Sequence, residues 1–153
     1  MKVLFVCTGN TCRSPMLMYM LRDYAAKTGC ECETDSAGFA AEDGAALNAS
    51  AERALKSRGI DCGGFAAKKF RAEVADGADV IFTMNEAGRG RIAAECARKT
   101  VVSLSEMAGR EIGDPYGGAQ SDYDALADLI ESILDKILAH AEKFADARQD
   151  GAN

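Results

Sequence analysis

Near the start of the chain stands the stretch Cys7-Thr8-Gly9-Asn10-Thr11-Cys12-Arg13-Ser14. It follows the apolar run Val3-Leu4-Phe5-Val6 and precedes Pro15, after which apolar residues recur at helical spacing. The segment therefore predicts a buried strand, a tight loop and the start of a helix, with a cysteine as the first residue of the loop. Ser14 is predicted to cap that helix, and a proline suits its first turn.

The predicted loop has the chemistry of an anion site. A loop between a parallel strand and a helix can direct several backbone N–H groups at one point, and the helix N-terminus adds partial positive charge. Such a nest binds a tetrahedral oxyanion. Here it would be formed by Thr8, Gly9, Asn10, Thr11, Cys12, Arg13 and Ser14. At its base Cys7 would be held as a thiolate, and the planar fork of Arg13 fits two phosphate oxygens. Together these features predict a phosphate-transfer site.

A cysteine followed by arginine at the sixth position is a weak signal by itself, because the chain has six cysteines and 18 basic residues. None of the other five cysteines has an arginine at that position. The alternative is a buried cysteine at a strand end beside a surface arginine. The context favours the phosphate site, since the loop begins where the apolar run ends and Gly9 permits unusual backbone angles.

Length and composition indicate one globular domain covering residues 1–153, with 48% hydrophobic and 27% charged residues. The net charge of −6 argues against a nucleic-acid partner, because a phosphate backbone requires a basic face. No apolar stretch approaches the length of a membrane-spanning helix, so we expect no membrane partner. A monomer is the default expectation.

The six cysteines, at positions 7, 12, 30, 32, 62 and 96, do not fit a disulfide scaffold in a chain this large and helix-rich. No export signal is visible after Met1-Lys2, so we expect reduced thiols in the cytoplasm. A zinc site is also disfavoured, because Cys30-Glu31-Cys32 has no matching second pair. We therefore expect no metal and no cofactor.

Strand patterns alternate with helix patterns along the chain. Strands are predicted at residues 2–6, 30–35, 79–84 and 100–104. Helices are predicted at 14–27, ended by Gly29, and at 48–58 and 85–97, capped by Asn48 and Asn85. The longest helix is predicted from residue 121, with Tyr123 on its apolar face and a frayed tail from 146. Residues 36–38 are predicted to form a turn. This alternation predicts an α/β fold with a four-stranded parallel sheet, helices on both faces and the phosphate-binding loop after strand 1. Ligands bind at the carboxyl ends of such strands, where Cys7 stands.

Asp114 lies in a second loop of interest, Asp114-Pro115-Tyr116-Gly117-Gly118. The loop is rich in turn residues, and its proline and glycines would fix its shape and expose the carboxylate. The residues alone leave two interpretations open: an ordinary turn aspartate, or an acid that serves the loop after strand 1.

Two other residues also have two interpretations each. Phe39 either lines the mouth of the pocket or anchors its own loop. Cys12 is either a packing residue or a redox partner of Cys7, because both lie in one tight loop and a neighbouring thiol can trap an oxidised cysteine as a disulfide.

Three segments together resemble the low-molecular-weight protein tyrosine phosphatases, over roughly residues 1–144. They are V-C-T-G-N-T-C-R-S-P-M at residues 6–16, Ser36-Ala37-Gly38, and the loop at residues 114–118. The resemblance implies a nucleophilic Cys7, a phosphate-binding Arg13 and an acid at Asp114. We also expect Asn10 and Ser36 to brace the loop, and Tyr116 and Phe39 to support the site. The chain departs from the family at Leu17-Met18, where Ala-Glu is common, and in lacking tryptophan and mid-chain histidines.

Within this family, Thr11 and the D-P-[FY]-G-G loop are similar to the bacterial protein-arginine phosphatases, whereas tyrosine-specific members usually have an aliphatic residue at that position. The resemblance thus implies hydrolysis of phosphorylated protein side chains through a phosphocysteine, with phosphoarginine favoured. A tyrosine phosphatase is the main alternative. Arsenate reductase and a non-enzymatic phosphate-binding module rank lower; the former needs a pair of relay cysteines, and Cys62 and Cys96 stand far apart in sequence.

Overall fold

The computed structural model describes residues 1–151, in which strands and helices alternate. In chain order the elements are β1 (Lys2–Cys7), α1 (Arg13–Thr28), β2 (Glu33–Gly38), α2 (Ala49–Lys56), α3 (Ala72–Asp76), β3 (Val80–Thr83), α4 (Glu86–Glu95), β4 (Val101–Ser103), α5 (Leu104–Ala108) and α6 (Gln120–Asp150). The five-residue helices α3 and α5 were not predicted, because each is too short to show a periodic pattern.

The four strands form one parallel sheet in the order β2-β1-β3-β4. Val3, Phe5 and Cys7 face one side of the sheet, in a core shared with α1, α2 and α6. Leu4 and Val6 face the other side, where they pack with residues of α3 and α4. The predicted fold class is confirmed, and β1, covered on both faces, delivers Cys7 to the carboxyl edge of the sheet.

Strand β2 lies three residues later than predicted, so the turn expected at residues 36–38 is wrong. These three residues pair with the last three of β1, and Cys7 lies opposite Gly38. The backbone here is crowded: a Cβ on Gly38 would lie 2.6 Å from the Thr8 carbonyl oxygen and 2.8 Å from the Asn10 nitrogen. Only glycine lets the end of β2 come this close to the loop after β1.

Helix α1 starts directly from the loop. Its N-cap residue, Cys12, makes no side-chain cap, and Ser14 lies inside the first turn, so the predicted serine cap is wrong. The Ser14 hydroxyl is instead within hydrogen-bond distance of Cys7, Asn10 and the Ala37 carbonyl. Gly29 ends the helix in the left-handed conformation, as predicted.

Helix α6 begins at Gln120, and its N-terminus is capped by the Asp122 carboxylate, which accepts a hydrogen bond from the Ala119 N–H at 2.9 Å. The predicted start at residue 121 was late by one. The helix continues to Asp150, and Arg148 Nη1 donates to Asp79 Oδ1 at 3.1 Å; the frayed tail expected from residue 146 stays a prediction. Residues 152–153 of that expected tail lie outside the described residues.

The shorter helices have the predicted polar caps. The Asn48 side chain accepts from Ser50 N and Ala51 N at the start of α2, and Asn85 accepts from Gly88 N at the start of α4. Within residues 1–151, no helix is both long enough and apolar enough to cross a membrane.

Candidate active site

Asn10 holds the loop after β1 in shape. It is buried and is the one non-glycine residue among the described residues with a positive φ, 55°. Its Nδ2 donates to the hydroxyls of Ser14 and Ser36, at 2.9 Å each, and its Oδ1 accepts from the Lys68 N–H at 2.9 Å. The expected brace between Asn10 and Ser36 is therefore present. These three contacts offset the strain of a left-handed asparagine.

Cys7 lies at the base of the loop with 4% of its surface exposed. Its Sγ is 2.9 Å from the Ser14 hydroxyl and accepts a hydrogen bond from the Asn10 N–H at 3.3 Å. Hydrogen bonds donated to a sulfur stabilise its negatively charged form. Both neighbours therefore suit a thiolate nucleophile at this position.

Arg13 lies across the same loop and is 7% exposed. Its Nη1 donates to the Ile112 carbonyl at 3.1 Å, and its Nη2 donates to the Thr8 hydroxyl at 3.4 Å. The same Nη2 lies 3.5 Å from Asp114 Oδ2. The guanidinium is thus fixed by one backbone contact and placed between the loop and the acid.

Asp114 lies in the loop that connects α5 to α6, and its side chain is half exposed. Its Oδ1 accepts from the Tyr116 N–H at 3.1 Å, a local bond that shapes the turn. The two loops enclose a cavity of about 210 Å³. Its lining residues are Cys7, Thr8, Gly9, Asn10, Thr11, Cys12, Arg13, Asp114 and Tyr116. The structure therefore brings the predicted nucleophile, cation and acid to one cavity, with the largely exposed Tyr116 ring at its rim.

Thr11 lies in the wall of this catalytic cavity and is half buried. Its hydroxyl is 3.8 Å from Cys12 Sγ, and its carbonyl accepts from the Asn48 N–H at 3.0 Å. The start of α2 thereby fixes the backbone of Thr11 while its side chain remains next to the cavity.

Cys12 is buried behind the loop, and its Sγ is 3.7 Å from the Tyr123 hydroxyl of α6. Burial raises the pKa of the Cys12 thiol and also that of Tyr123. At neutral pH both groups therefore keep their protons, so Cys12 is unsuited to be the attacking nucleophile.

Phe39 fits both interpretations left open by the sequence. Its ring packs edge-on against Phe70 with a centroid distance of 5.7 Å, which anchors the loop after β2. It also lines a second cavity, next to the one that contains Asp114, and Cys7 is shared by both cavities.

Three contributions to the site were missed by sequence reasoning: the N–H of Lys68, the carbonyl of Ile112 and the hydroxyl of Tyr123. Two of them are backbone groups, which any residue type supplies, so no residue pattern could reveal them. Tyr123 was predicted only as part of the apolar face of α6, and a tyrosine on such a face was the available signal.

A family model described as low molecular weight phosphotyrosine protein phosphatase matches residues 2–147. The chain belongs to this family. The resemblance that the three sequence segments indicated is therefore confirmed. The members of this family named below are phosphatases.

Relatives of two substrate classes match almost equally well. A protein-arginine-phosphatase from Geobacillus stearothermophilus is 32% identical, covering 94% of this chain and 95% of that protein. A low molecular weight protein-tyrosine-phosphatase, Ptp, from Acinetobacter johnsonii is also 32% identical, covering 86% and 92%. Among solved structures, the YwlE arginine phosphatase, as a C7S mutant with a phosphorylated active-site serine, has a TM-score of 0.85 at 28% identity and covers 94% of this chain and 97% of that one. Overall identity therefore does not separate the two classes.

Proposed function

We propose that this protein is a cysteine-dependent protein phosphatase that acts on phosphoarginine side chains through a phosphocysteine intermediate. The observation that supports the arginine assignment is the position of Thr11, a small hydroxyl-bearing residue in the wall of the cavity that also contains Cys7 and Asp114. We further propose that the protein works in the cytoplasm as a monomer; its cysteines are free thiols throughout the described chain.

In the first step, the Cys7 thiolate attacks phosphorus in line with the leaving group. A sulfur–phosphorus bond forms as the bond from phosphorus to the side-chain nitrogen breaks. Arg13 and the loop N–H groups hold the three equatorial oxygens, whose charge they stabilise. The electron pair of the broken bond goes to the nitrogen, and Asp114 supplies the proton.

Asp114 is placed for this step by its contact with Arg13. Its Oδ2 lies 3.5 Å from Arg13 Nη2. A phosphate group held by the same guanidinium would therefore lie beside the Asp114 carboxyl group, which can then reach the leaving nitrogen.

In the second step, water hydrolyses the phosphocysteine. Asp114, now a carboxylate, takes a proton from the water while the oxygen of that water bonds to phosphorus. The sulfur–phosphorus bond breaks, inorganic phosphate leaves and the Cys7 thiolate is restored. The hydrogen bond from the Asn10 N–H to the sulfur stabilises it as a leaving group, and the Ser14 hydroxyl lies 2.9 Å from the same sulfur.

A guanidinium leaving group accounts for a threonine, instead of an aliphatic residue, at position 11. The side-chain nitrogens of a phosphoarginine are donors that need acceptors in a desolvated pocket, and the Thr11 hydroxyl can accept one. Its contact within the described chain is the Cys12 sulfur at 3.8 Å, a weak partner that a nitrogen donor can replace.

A tyrosine phosphatase remains the second candidate, on the strength of Tyr116. This ring is 74% exposed at the rim of the catalytic cavity, where it can stack on a phenyl ring as well as on a guanidinium plane. The catalytic steps would be the same, with oxygen as the leaving atom.

An arsenate reductase and a non-enzymatic phosphate-binding module fit the structure less well than a phosphatase. Cys62 packs in the core on the α1 side of the sheet, whereas Cys96 packs against the core on the α4 side. The two thiols therefore lie on opposite sides of the sheet and do not form the adjacent pair that an arsenate reductase relay needs. A binding module would need no acid, yet Asp114 lies beside Arg13.

Thr11→Ile should shift preference from phosphoarginine toward phosphotyrosine. Isoleucine removes the hydroxyl and adds bulk, and leaving a buried donor unpaired costs about 1–3 kcal/mol, roughly a ten- to hundredfold loss in rate. Contact with a phenyl ring should gain a smaller amount, about 1 kcal/mol. The measurement is kcat/KM on matched phosphoarginine and phosphotyrosine peptides.

Two further variants separate the causes. Thr11→Ser keeps the hydroxyl and should keep the arginine preference, whereas Thr11→Val removes the hydroxyl at nearly constant volume. An unchanged ratio in Thr11→Ile, or a wild type that already prefers phosphotyrosine, would refute the arginine assignment and leave the tyrosine phosphatase in its place.

Oxidation should be reversible in the wild type and less so in Cys12→Ser. Peroxide converts the Cys7 thiolate to a sulfenic acid; the Cys12 thiol then attacks that sulfur, water leaves and a disulfide forms. This disulfide protects Cys7 from further oxidation, which thiols do not reverse. The measurement is activity recovered by dithiothreitol after a peroxide pulse, with Cys62→Ser as a control thiol. Equal recovery in wild type and Cys12→Ser would remove this role.

A further inference from the structure

A second cavity of about 210 Å³ lies beside the catalytic cavity and shares Cys7, Thr8 and Arg13 with it. Helix α4 and the residues before it form its outer wall. The remaining lining residues are Val6, Phe39, Met84, Asn85, Ala87, Gly88 and Arg91. The proposed mechanism uses none of these seven residues, so this side cavity has no role in the catalytic steps described above.

Arg91 is the cation of the outer wall. Its guanidinium lies over the Phe39 ring, 4.3 Å from the centroid, and the ring is fixed from its edge by Phe70. Gly88 allows this arrangement, because a Cβ there would lie 3.2 Å from Thr83 Cβ and 3.6 Å from the Phe39 ring. Arg91 is therefore held at the cavity by stacking, and within residues 1–151 its one ion pair is a long contact of 3.7 Å with Glu95.

Two cations line the side cavity, Arg13 and Arg91. No carboxylate belongs to the lining set, in which the Cys7 thiolate is the one proposed anion. The acids next to the two arginines are Asp114, 3.5 Å from Arg13, and Glu95, 3.7 Å from Arg91. Two further acids near α4 have other partners: Arg89 Nε donates to Glu86 at 2.6 Å, and Asn85 Nδ2 donates to Glu111 at 3.0 Å. The first turn of α4 adds partial positive charge to the same wall.

We propose that Arg91 is a specificity-determining residue that binds the carboxylate of an Asp or Glu close to the phosphorylated residue of a substrate protein. The inference rests on the proposed function and names a feature of its substrates. Because the two cavities share a wall and an extended chain advances about 3.3–3.6 Å per residue, the acidic residue would lie one or two positions away. The Arg91 guanidinium can bind such a carboxylate with two parallel hydrogen bonds.

The net charge of −6 opposes this attraction at long range. That repulsion is screened over about 8 Å at physiological ionic strength, whereas a carboxylate in direct contact with Arg91 lies well within that distance. Attraction to Arg91 therefore outweighs repulsion by the net charge for an acidic residue close to the phosphorylated residue. Acidic residues further along the substrate do not reach Arg91 and add nothing to binding.

The test uses the full chain and a set of phosphopeptides with Glu, Gln or Lys at each of two positions on either side of the phosphorylated residue. For the wild type, kcat/KM should rise about three- to fivefold when Glu replaces Gln at one position, the range of a half-exposed ion pair. Arg91→Met keeps an unbranched side chain over Phe39 but removes the charge, and should abolish that preference. Arg98→Met, at an exposed arginine outside the cavity, should retain it.

Arg91→Lys adds a second contrast, because it keeps the charge without the planar fork and should keep only part of the preference. A wild type indifferent to Glu at all four positions, or a preference that survives Arg91→Met, would overturn the proposal. Hydrolysis of p-nitrophenyl phosphate, which has no peptide, is measured in parallel. Its absence in the wild type would instead overturn the proposed phosphatase function.

Discussion

Cys7→Ser is expected to abolish turnover while leaving oxyanion binding intact. A serine hydroxyl is not ionised at neutral pH, so the bond to phosphorus cannot form at a useful rate, and losses on the order of 10⁴-fold or more follow removal of a nucleophile. The cradle itself depends on backbone groups, Asn10 and Arg13, none of which the substitution changes. The measurements are kcat/KM on phosphopeptides and the affinity for phosphate or vanadate by calorimetry.

The matched control for this variant is Cys96→Ser, which removes a half-buried thiol at the end of α4 and should leave turnover unchanged. Two results would count against Cys7 as the nucleophile. One is residual activity in Cys7→Ser within tenfold of wild type. The other is a parallel loss of vanadate binding, which would show that the substitution had damaged the cradle instead of the chemistry.

Asp114→Asn is expected to lower turnover by about 10²–10⁴-fold on substrates with a poor leaving group, the range of general acid catalysis. Asparagine preserves the shape of the side chain and can still accept from the Tyr116 N–H, but it has no proton to donate. For p-nitrophenyl phosphate, whose leaving group needs no proton, formation of the phosphocysteine should change little. Burst kinetics on both kinds of substrate measure the difference.

The control is Asp124→Asn, at an exposed carboxylate near the start of α6 that accepts from Gln120 at 3.1 Å. It should leave both substrates unaffected. If Asp114→Asn lost activity equally on good and poor leaving groups, the carboxylate would act in binding or in loop structure, and another group would have to supply the proton.

The sequence predicted Cys7, Arg13 and Asp114, whose side chains the structure brings to one cavity, but not the Tyr123 hydroxyl behind the loop. Cys7 and Arg13 are set by a strand, a tight loop and a helix in immediate succession, so their proximity follows from local geometry. Asp114 lies about a hundred residues away along the chain, and no local pattern ties it to the loop. Its assignment required the family resemblance, and the structure then placed it 3.5 Å from Arg13.

The errors share a physical cause, which is that tertiary contacts overrode local preference. Ser36 and Gly38 look like turn residues, but pairing with β1 draws them into a strand. Ser14 looks like a helix cap, but its hydroxyl lies 2.9 Å from the Cys7 sulfur and serves the site.

The three hydrogen bonds of the Asn10 side chain mean that the cradle is assembled when the chain folds, before any ligand arrives. Fixing a residue in one backbone conformation costs about 1–2 kcal/mol of entropy, and here folding bears that cost. A phosphate group therefore enters a rigid receptor, and free phosphate, the product, fits it as readily as the group being transferred. Discrimination between substrate and product then falls to the groups that meet the rest of the substrate, among them Thr11, Asp114 and Tyr116.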